Sequence, residues 1–125
     1  MVSQGGLAIN SASLIKCCLF NSRSICNKIT DIDFYLRSTS PAFTCITETW
    51  LKSDIPDNFV SCSGSYSVFR TDRQFSSGGG VCILCKDYVI KVSAVTIPDQ
   101  FRPCEIVCID IVDSSVKLRV ICGYR

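Results

Sequence analysis

The first third of the chain combines two apolar runs with one helical pattern. The run Leu14–Phe20 predicts a strand, and Ala42–Thr47 predicts a second strand that is buried on both faces. Between them, apolar residues recur at the spacing of one helix face, at positions Ile25, Ile29, Ile32 and Leu36. Strand, helix and strand with short links form a βαβ unit, whose two strands run parallel through a right-handed crossover.

The predicted helix has a signal at each end. Ser22 or Ser24 can cap its first turn, because a serine hydroxyl accepts a hydrogen bond from a free backbone N–H there. The segment Ser38–Pro41 is expected to end the helix, since proline disfavours the helical conformation in the residue before it. Residues 1–13 carry neither pattern and are predicted to be a short flexible lead-in to a domain that spans residues 14–125.

The rest of the chain predicts mostly antiparallel strands that are joined by polar turns. The predicted strands are Tyr66–Arg70, Val81–Asp87, Tyr88–Val95, Cys104–Val112 and Val116–Tyr124. The last two are expected to pair as a hairpin through the turn that begins at Asp113. The fold class is therefore α/β, and its one helix leaves most of a sheet face to be covered by further partners.

Two polar side chains follow the strands of the predicted βαβ unit. Asn21 comes directly after the first strand and Glu48 directly after the second. Because parallel strands have their carboxyl ends at one edge, we expect both side chains where ligands bind open α/β sheets. A single carboxylate there suits Mg²⁺, which prefers one or two protein carboxylates with water and substrate phosphate. The alternative is that Glu48 is only a solvated charge at a strand end.

Composition narrows the class of protein without choosing a function. Hydrophobic residues make up 47% and charged residues 19%, which is typical of a globular domain. The net charge of +2 neither requires nor excludes a nucleic-acid partner, because a basic groove can be hidden in a modest total. No apolar run approaches the roughly 18 residues of a membrane span, and the start of the chain does not resemble a secretory signal. We therefore expect an intracellular protein that does not associate with membranes.

Ten cysteines raise the question of disulfides or zinc. Most of them lie in apolar, β-branched runs, where free cysteine packs like a small hydrophobic residue, so no disulfide partners are expected. Cys82 and Cys85 have a zinc-like spacing but lie on a predicted strand, where residues three apart point to opposite faces. A cysteine-rich secreted module remains the alternative reading.

Several kinds of chemistry are excluded or weakened by the remaining motifs. The chain contains no histidine, which excludes Ser/His/Asp and Cys/His catalysis within it. The segment SSGGGV lacks the spacing of a phosphate-binding loop and is read as a turn before a strand. Arg70 and Arg73 flank an aspartate in a loop, and they fit either a solvated charged turn or contact with phosphates.

Four motifs in order resemble a known family. NSRSICNK, SPAFTCITETWLKSDIPD, YSVFRTDRQFSSGGGVCILCKD and the terminal CGYR resemble the endonuclease/exonuclease/phosphatase superfamily, which includes deoxyribonuclease I-like and apurinic/apyrimidinic endonuclease-like enzymes. The endonuclease domain of LINE-type non-LTR retrotransposons is the most similar member. The resemblance covers about residues 14–125 and implies the N-terminal half of a four-layer α/β sandwich of the DNase I type.

The resemblance also implies a site and a reaction. It assigns Glu48 to metal binding, Asn21 and Tyr124 to the catalytic site, and Arg23, Arg70 and Arg73 to nucleic-acid contact. The implied cofactor is Mg²⁺, with Mn²⁺ as a substitute. The implied partner is DNA, nicked in the nucleus at a target site to prime reverse transcription. Trp50, the only tryptophan, is expected to pack beside the site without entering its chemistry.

The departures from the family pattern are equally specific. An Asp-x-Asn segment and a Ser-Asp-His segment of the family have no match here, so we expect one sheet of the sandwich, an exposed apolar face and no activity of the chain alone. Three alternatives stay open besides the endonuclease fragment: a superfamily exonuclease or phosphatase fragment, a non-catalytic remnant that binds nucleic acid, and the secreted module.

Overall fold

The computed structural model describes residues 8–10, 13–61, 65–86, 91–112 and 117–125. Short 3₁₀ turns at Asp57–Phe59 and Asp99–Phe101 accompany the regular elements. In chain order these elements are β1 (Ala8–Asn10), β2 (Ser13–Leu14), β3 (Cys17–Asn21), α1 (Ile29–Thr39), β4 (Phe43–Thr47), β5 (Tyr66–Thr71), β6 (Val81–Lys86), β7 (Lys91–Ala94), β8 (Glu105–Val112) and β9 (Lys117–Tyr124).

The βαβ unit is confirmed, with a later start than predicted. β3 pairs in parallel with β4, from Cys17 opposite Phe43 to Asn21 opposite Thr47, and α1 connects them. The first strand of the unit is Cys17–Asn21, because these are the residues that pair with the five residues of β4. Leu14 pairs instead with Ala8 in the small β1–β2 sheet, which occupies part of the predicted lead-in. Residues 1–7 and 11–12 of that lead-in lie outside the described residues.

The helix ends as predicted but begins differently. Ser40 terminates α1 in a left-handed conformation, and its N–H donates to the carbonyl of Leu36 at 2.8 Å. The predicted serine cap is wrong, because Lys28 occupies the cap position without a side-chain hydrogen bond. Ile25 precedes the helix and is nevertheless fully buried. Ser22 is engaged elsewhere, since its hydroxyl donates to the carbonyl of Glu48 at 2.8 Å.

Two stacked sheets replace the single sheet that the sequence predicted. The first has the order β3-β4-β6-β5, and the second has the order β7-β8-β9 with antiparallel pairing throughout. Apolar side chains from both sheets form one cluster, exemplified by Ile83 on β6 and Ile109 on β8, both fully buried. A second cluster lies between the first sheet and α1, where Leu84 meets Leu36. The chain thus contributes strands to both sheets of the sandwich, and the inter-sheet face is covered.

One group of exposed apolar side chains borders β3 and β9 and does not cover a whole sheet face. Among the described strands, β3 and β9 each pair with a single neighbour, and both border an open groove. Leu19 on β3 is 71% exposed and Ile121 on β9 is 65% exposed. The expectation of a fully exposed sheet face is corrected accordingly, because the second sheet already covers Ile83 and its neighbours.

Five of the nine described cysteines are core thiols. Nine are described, and all nine are free. Five of them are buried, namely Cys45, Cys82, Cys85, Cys108 and Cys122. Cys82 belongs to the helix-side cluster and Cys85 to the inter-sheet cluster, which confirms that they point to opposite faces. No helix in the described ranges has both the length and the apolar character to cross a membrane.

The predicted hairpin of the last two strands is confirmed, as β8 pairs antiparallel with β9 from Glu105 opposite Tyr124 to Val112 opposite Lys117. Their connection, residues 113–116, lies outside the described residues, as do residue 87 of the predicted strand Val81–Asp87 and residues 88–90 of the predicted strand Tyr88–Val95. The remainder of that strand is β7, which is mostly exposed as expected for an edge.

Candidate active site

The structure brings Asn21 and Glu48 together at the carboxyl ends of β3 and β4. The side-chain amide of Asn21 donates a hydrogen bond of 2.5 Å to Oε2 of Glu48. The other end of that amide, Oδ1, accepts a hydrogen bond of 3.1 Å from the backbone N–H of Arg23. Since the amide oxygen is occupied by an N–H donor, its nitrogen must face the carboxylate. Asn21 therefore fixes the orientation of Glu48.

Backbone hydrogen bonds continue between the two turns beyond the ends of the strands. The N–H of Ser22 donates to the carbonyl of Thr47 at 2.9 Å, and the N–H of Ser24 donates to the backbone carbonyl of Glu48 at the same distance. The N–H of Ile25 then donates to the carbonyl of Thr49 at 3.0 Å. The turns that carry Asn21 and Glu48 are thus held together as one unit.

Strained backbone conformations concentrate in these two turns. In the described ranges, five residues other than glycine have positive φ angles. Four of them lie here: Arg23 at 45°, Ser24 at 82°, Glu48 at 54° and Trp50 at 58°. Each such residue costs on the order of 1–3 kcal/mol and persists only where its surroundings hold it. Because strained residues cluster at functional sites, this clustering points to the same edge as the Asn21–Glu48 pair.

The glycine-rich segment supports the site, a role that exceeds the predicted turn before a strand. Gly78, Gly79 and Gly80 all have positive φ angles. The N–H groups of Thr49 and Trp50 donate to the carbonyls of Gly80 and Gly79, at 3.2 and 2.9 Å. A Cβ atom on Gly80 would lie 2.6 Å from Oγ1 of Thr49, and one on Gly79 would overlap the Arg73 guanidinium. Glycine is needed because the site turn and Arg73 pack directly on this backbone.

Tyr124 reaches the same edge from the second sheet. It is the last residue of β9, and its side chain lies close enough to the Glu48 carboxylate for each group to shift the pKa of the other. The Arg73 guanidinium lies 5.9 Å from the centre of the Tyr124 ring, within the range of a cation–π interaction. Burial raises the pKa of Tyr124, and the negative charge of Glu48 raises it further. The hydroxyl therefore stays protonated at neutral pH and available as a hydrogen-bond donor.

Glu105 belongs to this site although no sequence pattern indicated it. Its carboxylate accepts hydrogen bonds from the Arg73 guanidinium at 3.0 Å and from the backbone N–H of Gly80 at 3.2 Å. Glu105 lies at the start of β8, opposite Tyr124 on β9. Glu105 thereby couples the second sheet to the glycine segment and keeps Arg73 in place. These contacts depend on how the two sheets pack, which the sequence alone does not show.

The Glu48 carboxylate is ionised at neutral pH. The hydrogen bond from Asn21 lowers the pKa of Glu48, and partial burial opposes that effect. The neighbouring Tyr124 and Trp50 side chains and the positive charge of Arg23 lower the pKa further. Glu48 is therefore an anion that the Asn21 amide orients at an accessible edge of the sheet.

The three arginines that the sequence assigned to nucleic-acid contact have different surroundings. Arg23 is exposed beside Glu48, and Arg73 lies against Tyr124 and Glu105. The side chain of Arg70 is only 13% exposed and forms ion pairs with Asp57 and Asp72, each at 3.1 Å. This placement favours a structural role for Arg70, and its contact with nucleic acid stays a prediction.

The donor set fits a hydrated Mg²⁺ ion. In the part of the chain that the structure describes, no three His, Cys, Asp or Glu side chains cluster as a complete metal cage. Mg²⁺ does not require such a cage, because it keeps several waters and binds through one or two carboxylates and substrate phosphate. Glu48 provides one oriented carboxylate, whereas the Glu105 carboxylate is already occupied by Arg73 and Gly80.

Comparison with solved structures identifies the fold. A structure of D. rerio TDP2 with single strand DNA product matches at a TM-score of 0.57 and 11% identity, covering 87% of this chain and 45% of that one. An AP endonuclease from Archaeoglobus fulgidus matches at a TM-score of 0.53 and 17% identity, covering 85% and 40%. The chain has a DNase I-like fold. It spans less than half the length of these structures, which agrees with about half of such a domain.

A humanized D. rerio TDP2 with 14 mutations matches in the same way, at a TM-score of 0.52 and 15% identity, covering 84% of this chain and 44% of that one. No family model matches the sequence, and no curated protein matches it significantly. The DNase I-like fold therefore rests on the structure, and the chemistry of the edge rests on its own residues.

Proposed function

We propose that this chain is the N-terminal part of a Mg²⁺-dependent DNA endonuclease and that it lacks activity by itself. The observation that carries the proposal is the Asn21–Glu48–Tyr124 cluster at the sheet edge, in which the Asn21 amide orients an ionised carboxylate. Two of the solved structures with the same fold are TDP2 with a single strand DNA product and an AP endonuclease, which supports a substrate of this kind.

Each residue of the cluster has a definite part in this proposal. Glu48 would hold the Mg²⁺ ion, which when bound polarises a phosphoryl oxygen for attack by water. Asn21 keeps the carboxylate in orientation, and the protonated Tyr124 hydroxyl beside Glu48 would donate its one proton to a phosphate oxygen of bound DNA. Arg73 adds positive charge beside that position, and Arg23 adds it at the outer rim.

The same structure explains why the chain alone is proposed to be inactive. Phosphodiester hydrolysis needs a group that takes a proton from the attacking water. The chain has no histidine. The Glu105 carboxylate of the site is engaged by Arg73 and Gly80, and the Glu48 carboxylate is committed to metal binding in this proposal. We propose that the parent protein acts on nuclear DNA, in the target-site nicking of a non-LTR retrotransposon.

We expect the chain to bind DNA without cutting it. Arg23→Ala should weaken binding of a short DNA duplex several-fold and reduce the salt slope by about one, because one phosphate contact is lost. Arg37→Ala is the matched control, since Arg37 is an exposed arginine on α1 that pairs with Asp33. Fluorescence anisotropy at several salt concentrations measures both variants.

Three results would contradict the proposal or the expectations drawn from it. Equal losses for Arg23→Ala and Arg37→Ala would show that binding does not occur at the site edge. Nicking of supercoiled plasmid by the chain alone in Mg²⁺, abolished by Glu48→Ala, would show that the chain holds a complete active site. DNA binding without nicking by a parent protein that includes the remaining half would favour a non-catalytic remnant.

A further inference from the structure

A groove of about 630 Å³ adjoins the candidate active site. Residues 71–76, at the end of β5 and in the loop after it, line the groove together with residues 101–106, which lead into β8. Arg73 and Glu105 belong both to this groove and to the site described above. A ligand that lies along the site edge can therefore extend into the groove.

Hydrogen bonds anchor the loop side of the groove at both ends. The hydroxyl of Thr71 donates to the carbonyl of Ile106 at 2.9 Å, which joins the two segments that line the groove. The ammonium group of Lys52 donates to the carbonyl of Ser76 at 2.8 Å. The groove is therefore built into the fold, because the loop between Thr71 and Ser76 is tied to its surroundings at each end.

Two exposed phenylalanine rings line this groove. Phe75 is 100% exposed and Phe101 is 45% exposed, and neither belongs to the two apolar clusters. Phenylalanine is ordinarily among the most buried residue types, because its ring removes a large apolar surface from water. Two such rings on one groove indicate a surface on which a flat aromatic group can stack.

Arg73 brings a positive charge to the same groove with one edge of its guanidinium unoccupied by Glu105. The Glu105 carboxylate accepts hydrogen bonds from Nε and Nη2 of Arg73, at 3.4 and 3.0 Å. This pair uses two of the five N–H groups of a guanidinium, and the edge formed by the two terminal nitrogens can bind a second anion. Because Glu105 fixes the plane of the group, that edge is oriented before a ligand arrives.

The other charges of the groove are also compatible with an anion. Asp72 pairs with Arg70 at 3.1 Å, so its carboxylate is balanced by a neighbouring guanidinium. Arg102 lines the groove and pairs with Asp99, but the two side chains are 79% and 86% exposed. An exposed pair of this kind contributes little, so a phosphate can replace Asp99 at small cost.

We propose that this groove binds an unpaired nucleotide of a DNA strand, with its base on Phe75 and Phe101 and its phosphate on the open edge of Arg73. A nucleotide joins a flat aromatic base to an anion, which matches the rings and the guanidinium of one groove. The bases of a duplex stack on one another, whereas an unpaired base offers its face to a protein ring. The proposal rests on the proposed function, because it names the form of DNA that the site receives.

Two oligonucleotides measured without metal separate base stacking from phosphate contact. One is a labelled thymidine strand, and the other is a strand of the same length whose sugars carry no bases. Both have the same phosphates, so the difference in their affinities reports the bases alone. We expect the chain to bind the thymidine strand at least about fivefold more tightly, measured by fluorescence anisotropy.

The chain offers a matched control for each ring. Phe75→Ala should remove the preference for the thymidine strand, whereas Phe34→Ala should keep it, because Phe34 is 72% exposed on α1. Phe101→Ala should weaken the preference, whereas Phe59→Ala should not. Phe59 and Phe101 each end a short 3₁₀ turn and are 40% and 45% exposed. Circular dichroism verifies that each variant keeps the fold.

Equal affinities for the two strands, or equal losses in Phe75→Ala and Phe34→Ala, would overturn the proposal. Failure of both strands to bind, while a duplex still binds through Arg23, would overturn it and leave the proposed function standing. A preference for the thymidine strand that disappears in Phe75→Ala would support the groove. That result would hold even if Glu48→Gln left Mn²⁺ binding unchanged, an outcome that counts against the proposed function alone.

Discussion

The Glu48→Gln variant is expected to bind Mn²⁺ at least about tenfold more weakly than the unsubstituted chain, a difference of about 1.4 kcal/mol. Mn²⁺ replaces Mg²⁺ here because it takes similar oxygen ligands and is paramagnetic. The substitution removes one negative charge but keeps the shape of the side chain. The other carboxylate at this edge, Glu105, is already engaged by Arg73 and Gly80 and cannot replace it without breaking those hydrogen bonds.

Isothermal titration calorimetry with Mn²⁺ measures this effect, and Asp54→Asn provides a control of equal charge change. Asp54 lies six residues from Glu48 on the exposed loop that follows the site turn. A chain whose affinity falls equally in both variants binds Mn²⁺ through its general negative charge. An unchanged affinity in Glu48→Gln would contradict the assignment of Glu48 as the metal ligand.

The Ile83→Ala substitution is expected to lower the free energy of unfolding by about 2–5 kcal/mol. Ile83 is fully buried on β6, an interior strand of the first sheet, and packs in the cluster between the two sheets. Its truncation removes apolar contacts and leaves a cavity that both sheets would have to move to fill. Because the free energy of unfolding of a typical domain is about 5–15 kcal/mol, this loss would be a large part of the total.

Ile121→Ala is the matched control, because it removes the same atoms from a side chain that is 65% exposed at the open edge. We expect it to change stability by no more than about 0.5 kcal/mol. Urea unfolding followed by circular dichroism compares both variants with the unsubstituted chain. If both variants lose the same amount of stability, the β3–β9 edge is covered in solution. If both keep the stability of the unsubstituted chain, the two sheets do not pack as described.

Local pattern was enough to predict the βαβ unit and the Asn21–Glu48 pair. The apolar run Ala42–Thr47 forms a strand buried on both faces, and parallel pairing alone brings the two polar residues to one edge. That inference needs only the direction of the strands. It does not need side-chain packing, which is why it holds although the first strand begins three residues later than predicted.

The remaining features depend on contacts between distant segments. The second sheet was missed because β8 and β9 look the same in sequence whether they extend one sheet or form another. The positions of Glu105 and Arg70 follow from that packing and from ion pairs across loops. The site turn depends on left-handed backbone at Glu48 and Trp50, a conformation that no propensity predicts for these residue types. Three consecutive glycines were the available signal that a chain segment approaches closely there.

Paramagnetic mapping tests the proposed site most directly. Mn²⁺ is added in small amounts to the ¹⁵N-labelled chain, with and without a short DNA duplex, and signal broadening is measured along the sequence. The account predicts that broadening is strongest at Asn21, Glu48 and Tyr124 and that DNA shifts the signals of the same turns. Broadening centred on Asp57 or Asp99, with no effect at Glu48, would contradict it.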